Sequence, residues 1–201
     1  MRNPVEHDVI EPIAERWSAY RFQPREVEDS KLIQCLEAAR WAASSFNDQP
    51  WNWIVARRQD SDQFKKMLEC LLEANQAWAK NVGVLLLSVT RGKFAYNGKP
   101  NRVALHDLGQ AAAHLTLQAT ALGLQVHQMA GVNLSKIRAE YAIPDDHEPQ
   151  TAIAIGYVDS SDPGDELGKE LADRERQTRT RRSLAEQVFG GEFGQSANFL
   201  R

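Results

Sequence analysis

The run VALHDLGQAAAHLTLQATAL, Val103 to Leu122, constrains the fold more than any other stretch. Leu and Ala recur at helical spacing, yet they cover most of the circumference and not one stripe. Such a helix has to be buried nearly all round, either in the centre of a domain or at a subunit interface. Gly123 supplies its stop. Ahead of it, VGVLLLSV, Val82 to Val89, is a continuous apolar run of strand length and reads as a central strand. Together they point to helices around a small central sheet, an α/β or α+β class.

The rest of the chain supplies the partners. DSKLIQCLEAARWAA opens on cap-type Asp29 and Ser30 and spaces Leu32, Ile33, Leu36, Ala39 and Ala43 by threes and fours, an amphipathic helix. WNWIVARR, from Trp51, alternates loosely as a strand with one wet face or edge. Ser61 can cap a second helix carrying Phe64, Met67, Leu68, Leu71 and Leu72 on one stripe. LQVHQMAGV reads as a strand and turn, Asn133 as the cap of a short helix ending before Pro144, and TAIAIGYV as a fourth strand. Residues 159–182 are polar and charged and should lie on the surface as an arm or linker, or reach as an arm to another subunit, before a last helix, SLAEQVFG. No repeat or composition break divides the chain, so 1–201 reads as a single domain.

Composition removes several functions. A net charge of −3 argues against nucleic-acid binding, since phosphate affinity comes from Lys and Arg in excess. No apolar stretch approaches the ~18 residues of a membrane helix, and the N-terminus lacks a signal-peptide pattern, so the expectation is a cytoplasmic protein with no membrane partner. Cys35 and Cys70 have no CxxC spacing and suit buried thiols. None of the five histidines has a spacing that pairs it as a metal ligand, and GxSxG, HExxH, P-loop and GxGxxG patterns are missing. The reading is no metal and no side-chain acid–base pair.

Three polar sets remain, each at an element boundary. In ERWSAYRF, Arg16 and Ser18 stand two apart on extended backbone, so a guanidinium and a hydroxyl face one way and can meet one phosphate or ribityl group. A solvated helix end is the plainer reading. AASSFNDQPWNW, Ala42 to Trp53, gathers Ser44, Ser45, Asn47 and Gln49 among Trp41, Phe46, Trp51 and Trp53. Turn formation explains the polar groups and core packing the rings, but neither explains both. In RTRRS, Arg179 and Arg181 precede a helix start, where an anion is favoured; a solvated basic run is the alternative.

Taken in order, these sets resemble the nitroreductase-like flavoprotein family, which binds FMN. RWSAYRF matches its Arg-x-Ser-x-basic-x-Phe opening at Arg16, Ser18 and Phe22, and ASSFNDQPW its Pro-Ser-Ser-x-Asn-x-Gln-Pro-Trp stretch. HDLGQAAAHLTLQATALGL resembles the Asp-x-Gly-x-Ala helix, HQMAGVN the Gly-centred turn and TAIAIGYV the strand ending in Gly-Tyr. Arg179 and Arg181 fall where the family keeps a basic pair. The resemblance implies an α+β fold with a small, mostly antiparallel sheet flanked by helices, in a domain-sharing homodimer with FMN at the interface. Arg16, Trp17 and Ser18 would contact the phosphate, ribityl chain or pyrimidine edge, with Arg179 and Arg181 on the phosphate. Ser44, Ser45 and Asn47 would come from the other subunit, Met129, Ala130 and Gly131 would lie along the isoalloxazine, and Asn75 would add a polar contact.

Two positions depart from the family pattern: Tyr20 replaces a common Arg or Lys near the flavin N1/O2 edge, and Ala43 replaces a Pro. Losing the cation should lower the reduction potential unless Arg21 or another residue substitutes. The implied activity is ping-pong hydride transfer from NAD(P)H through flavin N5 to a nitroaromatic, quinone or similar acceptor. Tyr20 motivates the alternative, a flavin-binding redox sensor or flavin store with little turnover. The family's dehalogenating and flavin-fragmenting chemistries need large lids, and Arg91 to Asn101 is short for one.

Overall fold

The computed structural model describes residues 2–200. A four-stranded antiparallel sheet, ordered β1-β2-β4-β3, is built from β1 (Trp51–Arg57), β2 (Val84–Arg91), β3 (Gln125–Met129) and β4 (His147–Gly156). β2 is central, as its unbroken apolar run requires, and β1 forms an edge, which explains its looser alternation. β4 starts earlier than TAIAIGYV suggests, because His147, Glu148 and Pro149 continue the pairing with β2 past a register shift at Ser88/Val89.

Both sheet faces are covered. Val84, Leu86, Val126, Ile153 and Ile155 pack on one side against α2 (Asp29–Arg40) and α5 (Ala104–Ala121), through Leu32, Cys35, Leu108, Ala111, Leu115 and Ala119. Leu85, Leu87, Val89, Ala152 and Ala154 point the other way, towards α3 (Ser61–Leu68), α4 (Glu73–Ala79), α6 (Leu134–Glu140) and α7 (Glu166–Arg176). The remaining helix, α1 (Glu11–Glu15), is a short turn against α5. Within this chain α5 is buried on one side: Asp107, Leu108, Ala111, Leu115 and Ala119 face inward, whereas Gly109 and Ala113 are exposed and Leu105 keeps 60% of its surface. An apolar stripe therefore faces outward along the helix that the sequence required to be covered all round.

Several boundaries differ from the sequence reading. The single second helix is two, α3 and α4, because the chain turns at Cys70 and pairs Leu71 with Val132 before restarting. Asp60, not Ser61, caps α3 by accepting the Gln63 N–H, and α2 starts after Glu28 with no side-chain cap. The last helix shrinks to a 3-10 turn, Leu184–Glu186, closed by a Ser183–Glu186 capping box, because the chain beyond it turns to pair Phe189 with Ser196 and to offer the Val188 carbonyl to the Ala197 N–H. Residues 159–182 contain α7, an amphipathic helix whose Leu171 and Ala172 are buried. No helix among the described residues is long and apolar enough to cross a membrane.

Candidate functional site

After α1 the chain runs extended alongside the start of β3. The Trp17 N–H donates to Gln125 Oε1 at 3.1 Å, His127 Nδ1 lies 2.8 Å from the Ala19 carbonyl, and Phe22 bridges to Val158. Arg16 Nη2 donates to Ser18 Oγ at 3.2 Å, so the two side chains do share one face. Arg179 joins them from beyond α7, its guanidinium 5.9 Å from the Trp17 ring centre, and Arg181 is near enough to act on both charges. Burial lowers the pKa of Arg16, and the charges of Arg181 and then Arg179 lower it further. Burial, then Arg181, does the same to Arg179. None of the three is ion-paired among the described residues, and Nη1 of Arg179 is buried with no hydrogen-bond partner. Three guanidiniums gathered without a carboxylate leave positive charge that an anion can neutralise.

Next to this face, Tyr20 packs edge-on against Trp78 at 5.4 Å and His127 at 4.6 Å. Burial holds the His127 imidazole below its ordinary pKa, with Arg16 adding to the effect. Arg21 does not take the place of the missing cation: its guanidinium reaches the Ser161 carbonyl and Asp159. Arg174 lies over the Tyr20 ring instead, 5.7 Å away. An open cleft of about 650 Å³ beside the extended segment is lined by Trp17, Arg21, Gln125, Tyr157 and Arg176.

At the end of β3, Met129, Ala130 and Gly131 meet α4. Asn75 Nδ2 donates to the Gly131 carbonyl at 3.0 Å, and Leu72 N–H reaches the same oxygen at 2.9 Å. A Cβ on Gly131 would collide with the Asn75 amide, so only glycine permits this approach. Asn75 lies in the first turns of α4, not at the end of a longer helix.

Ser44, Ser45 and Asn47 lie elsewhere. They occupy a 3-10 turn between α2 and β1, at the end of the sheet where Trp51 pairs with Thr90, whereas Gln125 pairs with Gly156 at the opposite end and edge. Six residues along β2 and three strand spacings separate the rows, on the order of 20 Å or more. One chain therefore does not bring this set to the arginines. The turn is held in a strained form: Phe46, Asn47 and Gln49 have φ of 55°, 54° and 49°. Two carboxylates fix it. Asp107, buried in the first turn of α5, accepts the Ser45 N–H at 3.1 Å, and Asp48 accepts from Arg91 at 3.1 Å and from the Ala95 N–H at 2.8 Å. Sequence reasoning passed over Asp48, Asp107, Gln125 and His127. Asp107 opens the stretch that resembles the Asp-x-Gly-x-Ala helix, but that pattern gives no hint of its hold on Ser45, and Gln125 carries no motif; Asp48 sits inside AASSFNDQPWNW, and the burial of its side chain was the missing signal.

An α+β protein with both faces of an antiparallel sheet covered, and an unpaired arginine cluster at one sheet edge, is the class these features define. The nitroreductase family model matches residues 13–157, and the chain belongs to the nitroreductase family. It is similar to a crystal structure of an oxidoreductase containing FMN, 33% identical, TM-score 0.87, covering 96% of this chain and 97% of that one. An FMN-dependent nitroreductase from Clostridium difficile R20291 is 25% identical, with a TM-score of 0.65 over 76% of this chain and 89% of its own. A Methanothermobacter thermautotrophicus protein named as a candidate NADH dehydrogenase/NAD(P)H nitroreductase is 28% identical over 164 residues, 78% of this chain and 80% of its own.

Proposed function

We propose that the protein is an FMN-dependent NAD(P)H oxidoreductase that reduces a nitroaromatic, quinone or similar acceptor by a ping-pong cycle. The arginine cluster carries this reading. A phosphomonoester supplies the negative charge that Arg16, Arg179 and Arg181 lack and a partner for the orphaned Nη1 of Arg179. The FMN-containing neighbours support the choice of anion. Arg16, Ser18, Arg179 and Arg181 hold the phosphate end, Trp17 and Tyr20 border it, and Asn75, Met129, Ala130 and Gly131 line the ring end. Ser44, Ser45 and Asn47 serve the site of a second subunit, since their own chain holds them at the far end of the sheet. The outward stripe of α5, with Leu105 at its start, is the surface we assign to the homodimer contact. The arm 159–182 then contributes to the cofactor site through Arg179 and Arg181.

The chemistry that bound FMN supplies is the passage of two electrons from NAD(P)H to the acceptor, and this chain's residues bind and orient. No side-chain acid or base is required. A second reading, a redox sensor or flavin store with little turnover, draws support from Tyr20 and from Arg21, whose charge is turned to Asp159. Equilibrium titration tests the phosphate role: FMN should bind at least tenfold tighter than riboflavin, and equal affinities would refute it. Stopped-flow mixing with NADH and NADPH then decides between enzyme and store; bleaching of bound FMN by neither nucleotide favours the store.

A further inference from the structure

We infer that Phe46, Phe94 and Tyr96 form an aromatic wall that selects planar aromatic electron acceptors in the flavin site of the neighbouring subunit. This rests on the proposal that Ser44, Ser45 and Asn47 serve that site, because Phe46 stands between them. The residue is 77% exposed, and its backbone is held at φ 55°, where bulky side chains rarely stand. Strain of this kind persists only where the surroundings enforce it.

The surroundings do enforce it. Phe46 meets Phe94 edge-on at 5.8 Å and Tyr96 at 5.4 Å, and those two rings lie 5.5 Å apart. Phe94 and Tyr96 belong to the connection between β2 and α5, pinched by a Lys93–Pro100 bridge. That connection is fastened to the motif by Asp48, whose side chain is 1% exposed and accepts from Arg91, the Ala95 N–H and Asn101 Nδ2. A cluster formed for core packing would be buried; this one presents Phe46 and Tyr96, itself 60% exposed, to the outside. Ring faces and edges of this kind recognise flat π systems through offset and edge-to-face contacts. Quinones and nitroarenes meet that demand, whereas small or inorganic acceptors gain nothing from it.

The test uses FMN-loaded protein carrying Phe46→Ala or the pair Phe94→Ala and Tyr96→Ala. Calorimetric titration with 2-naphthol, planar and redox-inert, should show roughly tenfold weaker binding. With NAD(P)H as electron donor, kcat/KM for 1,4-naphthoquinone, which takes two electrons and two protons to its hydroquinone, should fall about tenfold. FMN affinity and kcat/KM for ferricyanide, which takes electrons without stacking, should stay within about twofold. Phe46→Leu keeps most of the volume and removes the ring, so it gives the same answer at smaller amplitude if the alanine variants unfold. Wild-type 2-naphthol affinity and naphthoquinone selectivity in FMN-loaded variants would overturn the wall alone, as would an equal fall for ferricyanide. A wild-type chain that takes up no FMN overturns both the wall and the functional reading beneath it.

Discussion

Replacing Arg179 with alanine should separate ligand binding from folding. Its Nη1 is buried without a partner among the described residues. A buried unsatisfied donor costs about 1–3 kcal/mol, and because Arg179 is only partly buried its removal returns a fraction, roughly 0.5–1 kcal/mol. Against this stands the guanidinium over Trp17, 5.9 Å from the ring centre and at the outer limit of a cation–π contact, worth about 0.5 kcal/mol. The two nearly cancel, so the ligand-free protein should melt within about 2 °C of wild type. With FMN the variant loses one or two charge-assisted hydrogen bonds at about 1.5–3 kcal/mol each, so Kd should rise roughly 10- to 100-fold or more. Riboflavin affinity, with no phosphate to lose, should change less than about threefold. Scanning fluorimetry and flavin titration read the two effects. A loss of several degrees in the ligand-free protein with unchanged FMN affinity would show Arg179 to be a structural residue and refute the phosphate site.

Four further outcomes are expected. Gly131→Ala should displace the Asn75 amide, lose its 3.0 Å hydrogen bond, and cost about 1–2 kcal/mol in denaturant unfolding while weakening FMN uptake. Asn47→Gly should raise ligand-free stability by up to about 1 kcal/mol, since φ 54° costs glycine nothing, yet weaken FMN binding because the side-chain amide is lost; equal FMN affinity would sink its assignment. His127 is held below its ordinary 6.5, so the unfolded chain binds a proton that the folded one refuses. Its contribution to stability is therefore complete above about pH 6.5 and declines as pH falls below it, and His127→Gln should flatten that slope in unfolding measured from pH 7.5 to 5.5. Leu105→Glu, on the outward stripe of α5, should shift sedimentation towards the monomer without altering the circular dichroism spectrum.

Local pattern made several elements readable. β2 is central because an unbroken apolar run cannot sit at a wet edge, and α6 begins at Asn133 because its side chain accepts the Lys136 N–H. The same patterns misplaced α3 and α4, since Leu71 and Leu72 keep the helical stripe while their backbone bonds to Val132 and Gly131. Tertiary pairing overrode propensity there. The final segment follows the same rule: SLAEQVFG has a good cap and a helical pattern, but its Phe189 leaves the helix to pair with Ser196.

The candidate site divides in the same way. Arg16 and Ser18 are two apart on extended chain, so their shared direction follows from backbone period alone and was legible in the sequence, whereas their direct 3.2 Å contact is added by the structure. That Arg179 and Arg181 fold back onto Arg16 depends on α7 docking through Leu171 and Ala172, a long-range event without local signature. Likewise, sequence determined the glycine at 131, but only the packing of α4 on β3 shows that Asn75 leaves no space for a Cβ. Sequence by itself therefore determined the layers, the central strand and the residue types of the site, because these rest on periodicity and local geometry. Which arginine stays unpaired, which way Arg21 turns, and the separation of the Ser44–Asn47 turn from the arginine cluster were decided by tertiary structure, since each is set by contacts between residues far apart in the chain.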